Sequence, residues 1–379
     1  MPLVLNEDQE MLRESAHGFI QDRSPVSKLR ELRAKDVPER FDRALWSEMA
    51  EMGFAGVLVP EAQGGSAFGF VGAGVIAEEM GRTLAASPFL STAVMGATAL
   101  GQLGTDEQKD RYLPDVASGG SVFAVAVDEG RKHAPARIAM TAERSGNGFK
   151  LSGEKTFVAD GLAADRLIVA ARTAGAEGEP DGITLFVVDA DAPGVTAERM
   201  ATVDERGHAR LRLDGVAVDG DAVLGEVDQG YQGLERVLHG GRAILSAEMT
   251  GAADAAFAMT VDYLKERRQF GVPIGSFQAL QHRAAHLLAE LEMAKAVTLQ
   301  ALQEMDEDMD GAAGAVSLAK AKVGQVAKLA TQEAMQMHGG IGMTDEYDVG
   351  FYLKRVRVAQ EMLGDPDFHA NRLAGVLGY

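Results

Sequence analysis

At 379 residues the chain has room for two or three domains with a substantial buried core. Its 46% apolar and 25% charged residues are ordinary for a globular protein, its net charge of −19 argues against a general binder of nucleic acid or acidic membranes, and the absence of cysteine excludes disulfides, thiol nucleophiles and thiolate metal sites. The opening MPLVLNEDQEMLRES has no basic stretch followed by an apolar one, and no apolar run approaches membrane-spanning length, so a cytoplasmic protein is expected.

In chain order, helical patterns come first. Asn6 with Gln9 can form a reciprocal cap for a helix whose inward stripe begins at Met11, Ala16 and Phe19. Trp46, Met49, Met52 and Phe54 continue the theme up to Pro60, GGSAFGF (64–70) marks a loop, and Val75, Ile76, Met80, Met95, Leu100 and Leu103 belong to further packed helices. Near residue 121 the period changes. VFAVAV (122–127), FKLSGEKTFVADG (149–161), RLIVAART (166–173) and ITLFVVDA (183–190) are short, β-rich and separated by turn residues. In ARLRLDGVAV (209–218), Leu211 and Leu213 alternate with Arg210 and Arg212, as a strand with one wet face requires.

Helices return at about residue 229. Phe277, Leu280, Ala284, Leu287 and Leu291 form one stripe and Val316, Val323, Val326 and Ala330 another, joined by MDEDMDGAAG (305–314). The fold class is therefore mainly α with a central small β domain, in three consecutive parts: helices over 1–120, β over 121–228, and a helical bundle over 229–379. The acidic run EMDEDMD (304–310) reads as a solvated loop. His282 and His286 are spaced i, i+4, but HRAAH lacks the glutamate of HExxH and no third ligand is evident, so no metal site is expected.

GFAGVLVPEAQGG (53–65), EEMGR (78–82), LKERRQFGVPIGSFQALQ (264–281) and QMHGGIGMTDEY (336–347), in this order and over essentially the whole chain, resemble the acyl-CoA dehydrogenase family. The resemblance implies that family's arrangement of an N-terminal α domain, a middle β-barrel and a C-terminal four-helix bundle. It also implies FAD as cofactor, an acyl-CoA substrate, an oligomer, and an electron-transfer flavoprotein as acceptor. Arg267 matches the arginine that binds the FAD pyrophosphate across a dimer interface, and Phe270 the phenylalanine packed beside the adenosine. Gln336, Gly339 and Gly340 match a second FAD-contacting stretch. A planar guanidinium suits the first role because it offers phosphate a rigid fork of donors. His338, beside the glycines, is read as a structural histidine, with contact to adenine as the alternative.

The family desaturates an acyl-CoA thioester between its α and β carbons, with a carboxylate removing the α proton and hydride leaving for the flavin. Counting forward from Gly339 places Leu363 where the base usually stands. The alternative position on an earlier helix, one residue before the family arginine matched by Arg242, a candidate substrate contact, is Gly241. Neither can accept a proton. A one- or two-residue shift would offer Glu361 or Asp365 instead, Glu361 being the better placed; Glu248 shares the Gly241 face but stands two turns on.

The loop that lies along the flavin in the family corresponds to AVDEGRKHAPARI (126–138), without its serine and threonine. Phe157 sits where a tryptophan often faces the flavin ring, and Ala159 replaces a hydroxyl residue near its reactive nitrogen. Retention across the dimer and loss on the chain's own side resemble the non-catalytic subunits of heterotetrameric dehydrogenases for steroid or other bulky side-chain thioesters. The leading expectation is a chain that completes the FAD site of a catalytic partner. A self-sufficient homomeric enzyme with a displaced base and a flavin-free binding or scaffold protein on the same fold are the alternatives.

Overall fold

The computed structural model describes residues 3–379. Among the described residues six α-helices precede the sheet: α1 (Glu7–Arg23), α2 (Val26–Lys35), α3 (Arg43–Glu51), α4 (Gly69–Thr83), α5 (Ala97–Leu103) and α6 (Asp106–Ala117), with a π-helix over Phe89–Gly96 leading into α5. The strands are β1 (Phe123–Ala126), β2 (Thr141–Ser145), β3 (Gly148–Ala159), β4 (Arg166–Arg172), β5 (Ile183–Asp189), β6 (Val195–Arg199), β7 (His208–Val218) and β8 (Val223–Leu224). Then follow α7 (Gly230–Glu266), a small hairpin of β9 (Arg268–Gln269) and β10 (Val272–Pro273), α8 (Gln278–Glu307), α9 (Ala313–His338), α10 (Val349–Ala359) and α11 (Pro366–Val376). The chain condenses into two compact units, one made of the segment up to Glu31, Phe70–Ala85 and Arg242–Tyr379, the other of Leu32–Gly69 and Ala86–Gly241.

In the first unit, the reciprocal cap of α1 forms as expected, Asn6 Oδ1 accepting from the Gln9 amide and Gln9 Oε1 from the Asn6 amide, each at 2.9 Å. The inward stripe differs from expectation: Met11 is 63% exposed, and Ala16 and Ile20 carry the burial. The α9 stripe of Val316, Val323, Val326 and Ala330 is buried throughout. Of the stripe expected along α8 only Leu287 and Leu291 are buried; it emerges from the core toward its N-terminal end, where Phe277 is exposed.

Helices α4 and α7 cross at van der Waals contact between backbones. A Cβ on Gly81 would stand 2.0 Å from the Glu248 carbonyl oxygen, and one on Gly251 1.9 Å from that of Glu78, so neither position tolerates a side chain. The acidic run is not simply solvated. Asp306 of α8 reaches the start of α4 and accepts hydrogen bonds from the amides of Phe70 (2.5 Å) and Val71 (3.0 Å), satisfying donors that a helix leaves open. Across the same helices Arg82 pairs with Glu78 (2.8 Å), Glu79 (3.2 Å) and Asp254, and Lys295 joins Asp254 at 2.9 Å.

In the second unit the strands pair along the path β6-β7-β3-β2-β4-β5-β8, with β1 lying parallel to β4. β4 and β5 are buried almost end to end, which is why they read as continuous apolar runs, whereas β7 alternates buried Leu211 and Leu213 with exposed Arg210 and Arg212. β2 and β6 escape a reading by composition because TAERS and VTAER are polar and mostly exposed.

Candidate active site

The long helix α7 ends at Glu266, and the next residues turn back on themselves. Phe270 (φ +52°) and Gly271 (φ +83°) form a two-residue link of the hairpin kind in which both central residues take positive φ. Asn or Gly is the favoured first residue there, so Phe270 carries backbone strain on the order of 1 kcal/mol. Phe270 is 92% exposed, its ring edge-on to Phe277 with centroids 6.1 Å apart. Arg267 is exposed, and its guanidinium has no hydrogen bond or ion pair among the described residues.

Gln336, on the last turn of α9, and Gly339 and Gly340 just after it are exposed. Gly339 has φ +62°, and a Cβ at either glycine would meet nothing within 4 Å. Arg267, Phe270, Gln336, Gly339 and Gly340 thus lie in one unit, each exposed.

The stretch counted as the catalytic position forms a tight turn between α10 and α11. Leu363 sits at φ +56°. Its carbonyl oxygen accepts from Arg242 Nε at 3.2 Å and from His369 Nε2 at 3.0 Å, which places the proton of that imidazole on Nε2. Lys320, fully buried on α9, donates to the carbonyls of Ala359 (3.2 Å), Gln360 (3.0 Å) and Gly364 (3.0 Å). Burial, with the Arg242 charge adding to it, pulls the Lys320 ammonium down to about 7, against the weaker pull of Glu361 and Asp365. Arg242 is itself fully buried, 5.8 Å from the centroid of Phe368.

The carboxylates near this turn are otherwise engaged. Glu361 lies at the surface in an ion pair with Arg357 at 2.5 Å, and Asp365 caps α11, accepting from the Phe368 amide at 2.8 Å. Glu248 is buried against Arg355 at 3.2 Å, and Gly241 is buried within α7. His282 and His286 are both exposed on α8.

In the other unit, loop 126–138 is folded onto its own charges. Asp128 accepts from His133 Nδ1 (2.8 Å) and the Ala134 amide (3.2 Å). Glu129 accepts from Lys155 Nζ (2.7 Å) and the amides of Ala139 (2.8 Å) and Met140 (3.1 Å). Lys155 is fully buried, and burial holds its ammonium below the ordinary lysine value despite Glu129. Between Lys155 and Val158 the pairing of β3 with β7 slips, and Phe157 takes φ +53° with its ring 46% exposed and edge-on to His208 at 6.0 Å. Met200 Sδ accepts from Thr156 Oγ1 and from the Phe157 amide, each at 3.3 Å.

Lys320, His369 and Met200 were not singled out from sequence. Only Lys320 left a trace there, as a lone cation in register with Val316 and Gly324 on the apolar stripe of α9.

Known proteins agree with this architecture in all three parts. The N-terminal, middle and C-terminal domains of acyl-CoA dehydrogenases match residues 6–120, 125–216 and 228–378. The chain belongs to the acyl-CoA dehydrogenase family, FAD-dependent oxidoreductases acting on acyl-CoA esters. Among curated relatives, the acyl-CoA dehydrogenase FadE12 of Mycobacterium tuberculosis is 31% identical over 94% of this chain and 92% of its own length. Among solved structures, a variant of the Tcur3481-Tcur3483 steroid ACAD is 33% identical, covers 98% of each chain and has a TM-score of 0.88. The ChsE4-ChsE5 complex of Mycobacterium tuberculosis is 27% identical over 100% of this chain and 99% of its counterpart, with a TM-score of 0.89.

Proposed function

We propose that this chain is the non-catalytic partner in a heteromeric acyl-CoA dehydrogenase and completes the FAD site of a catalytic subunit that desaturates an acyl-CoA thioester. The observation that carries this reading is a division of labour within one chain. Arg267, Phe270, Gln336, Gly339 and Gly340 stand exposed at the end of one unit. The base positions hold Leu363 and Gly241, and the neighbouring carboxylates of Glu361 and Asp365 serve an ion pair and a helix cap.

The exposed set fits the adenosine and pyrophosphate half of FAD. An unpaired guanidinium supplies donors to phosphate oxygens, a phenyl ring held outward at an energetic cost supplies a face for adenosine, and a glycine turn without side chains lets a ligand come close to the backbone. The residues of the other unit do not fit the flavin ring equally well. The Phe157 amide and the Thr156 hydroxyl are held by Met200, Ala159 has no hydroxyl, and loop 126–138 spends its carboxylates on His133 and Lys155.

FAD, where bound, accepts the hydride released from the β carbon. In this reading Arg267 would hold the pyrophosphate, Phe270 would cover the adenosine, and Gln336 with the two glycines would contact the same half of the cofactor. Arg242, Lys320 and His369 hold the 359–364 turn shut. The proton is removed by the catalytic subunit. Electrons pass on to an electron-transfer flavoprotein, and the steroid enzyme among the similar structures supports a bulky side-chain thioester as substrate.

The test is flavin content after purification, alone and co-expressed with a second acyl-CoA dehydrogenase-type chain. The expected result is a colourless protein alone and a yellow complex with the partner, which turns colourless when Arg267 is replaced by alanine. A yellow homo-oligomer that oxidises a CoA ester at ordinary turnover would overturn the proposal.

A further inference from the structure

His338 is the last residue of α9, directly before the glycine turn. Its imidazole is 2% exposed and stacks on Tyr263 near the end of α7, with centroids 4.5 Å apart and planes at 28°. Tyr347 also packs against it, with centroids 4.8 Å apart and planes tilted by 50°, and the two tyrosines meet edge to face at 6.2 Å, so the three rings form one cluster. Nδ1 donates to the Ala334 carbonyl within α9 at 2.7 Å, so Nε2 is the bare nitrogen, buried and without a hydrogen-bond partner among the described residues. A buried acceptor without a partner is a cost, and contacts through the ring face must offset it.

Each ring leads to a different part of the exposed edge. Tyr263 precedes Arg267 by one helical turn, and its carbonyl accepts the Arg267 amide at 2.8 Å. Tyr347 belongs to the loop that leaves the glycine turn, and Arg30 clamps that loop, donating to the Asp345 carbonyl at 2.5 Å and to Asp348 Oδ1 at 2.7 Å. The turn itself folds back over the histidine: a Cβ on Gly342 would stand 3.0 Å from His338 Cβ. His338 therefore joins the end of the helix that leads into the Arg267–Phe270 hairpin and the loop beyond the glycine turn through its ring, and packs against the turn itself through its Cβ.

From this geometry we infer that His338 is a positioning residue whose stacked ring locks the Arg267–Phe270 hairpin and the Gly339–Gly340 turn into one rigid edge. The functional value of that edge rests on the reading above, since a site completed across subunits needs both elements held at a fixed spacing before the cofactor arrives. The rigidity itself is a property of this chain alone.

Hydrogen–deuterium exchange on the purified full chain tests it without a partner or flavin. In His338→Ala, amides of the hairpin around residues 267–274 should exchange at least about tenfold faster, although they lie on a different segment from the substitution. His338→Phe keeps an aromatic face while removing the unpartnered Nε2 and the Nδ1 donor to Ala334, and, if stacking is what locks the edge, it should restore protection in the hairpin. Tyr263→Leu leaves α9 untouched and should loosen residues 339–344 in return. The inference is overturned if His338→Ala leaves the hairpin unchanged, if His338→Phe fails as badly as alanine, or if Tyr263→Leu leaves the glycine turn protected. Should His338→Ala not fold, the phenylalanine and Tyr263→Leu results decide. Loss of the heteromeric function through Arg267→Ala reports on the earlier reading, and exchange in these variants does not depend on it.

Discussion

Arg242 Nε donates to the carbonyl oxygen of Leu363 at 3.2 Å, so the residue standing at the counted base position is bound through its backbone to a fully buried cation. With His369 on the same oxygen and Lys320 on three neighbouring carbonyls, three basic side chains converge on one short turn. The turn is pinned by donors, and its side chain at 363 is apolar.

Lys320 gives this arrangement a pH signature. Its folded value of about 7 lies below the unfolded value of 10.5, so between the two the unfolded chain binds a proton that the folded chain refuses. Stability from this group therefore rises as pH climbs from about 7 toward 10 and is lost as pH falls through that range, with a limiting slope of about 1.4 kcal/mol per pH unit. Lys320→Met should flatten the slope relative to the parent chain in denaturant titrations at pH 7, 8 and 9. Parallel curves for the two proteins would rule this out.

At the exposed edge, Arg267→Lys keeps the charge and loses the planar fork. If the pyrophosphate takes paired donors, flavin retention in the heteromer should fall by about 1.5–3 kcal/mol for Arg267→Ala, with lysine recovering only part of it. Equilibrium dialysis of FAD from the co-purified complex measures both.

In the proposed reading, Phe270 sets stability against function. Asparagine tolerates φ +52° far better than phenylalanine, so Phe270→Asn should stabilise the hairpin by up to about 1 kcal/mol. The same change removes the outward ring and should weaken flavin retention in the complex. A variant that is both less stable and equally flavinated would contradict this assignment.

The Arg82 network makes the last prediction. Burial alone would raise the Asp254 carboxyl, but hydrogen bonds from Arg82 and Lys295 outweigh it and hold the group below the ordinary aspartate value of 3.8. A depressed folded value means the stabilisation is present above the unfolded value and disappears as pH falls through the folded one, a window below about pH 4. Asp254→Asn should cost about 1.5–3 kcal/mol at neutral pH and lessen the acid sensitivity of unfolding. Thermal melts at pH 7 and pH 3 distinguish this from a pH-independent packing defect.

Much of this protein is written locally. The reciprocal cap at Asn6, the buried runs of β4 and β5, the alternation of β7 and the stripe of α9 follow from short-range periodicity, because each records which face of one element meets the core. The same logic misplaced Met11, since a single apolar residue at an early helical position does not reveal how far the core extends toward that end. It also passed over β2 and β6, whose backbone pairing is independent of their polar side chains.

Sequence alone determined the family, through four motifs in order, and the absence of an acid at Leu363 and Gly241, because residue identity is all that such a lack requires. Tertiary structure decided which charges are spent and which stand open. Asp306 looked solvated and caps α4, Lys320 looked like one more lysine and holds a turn, and Arg30 reaches Asp348 across 318 residues. Such pairings depend on where distant segments come to rest, and periodicity within one segment carries no record of the partner it will meet.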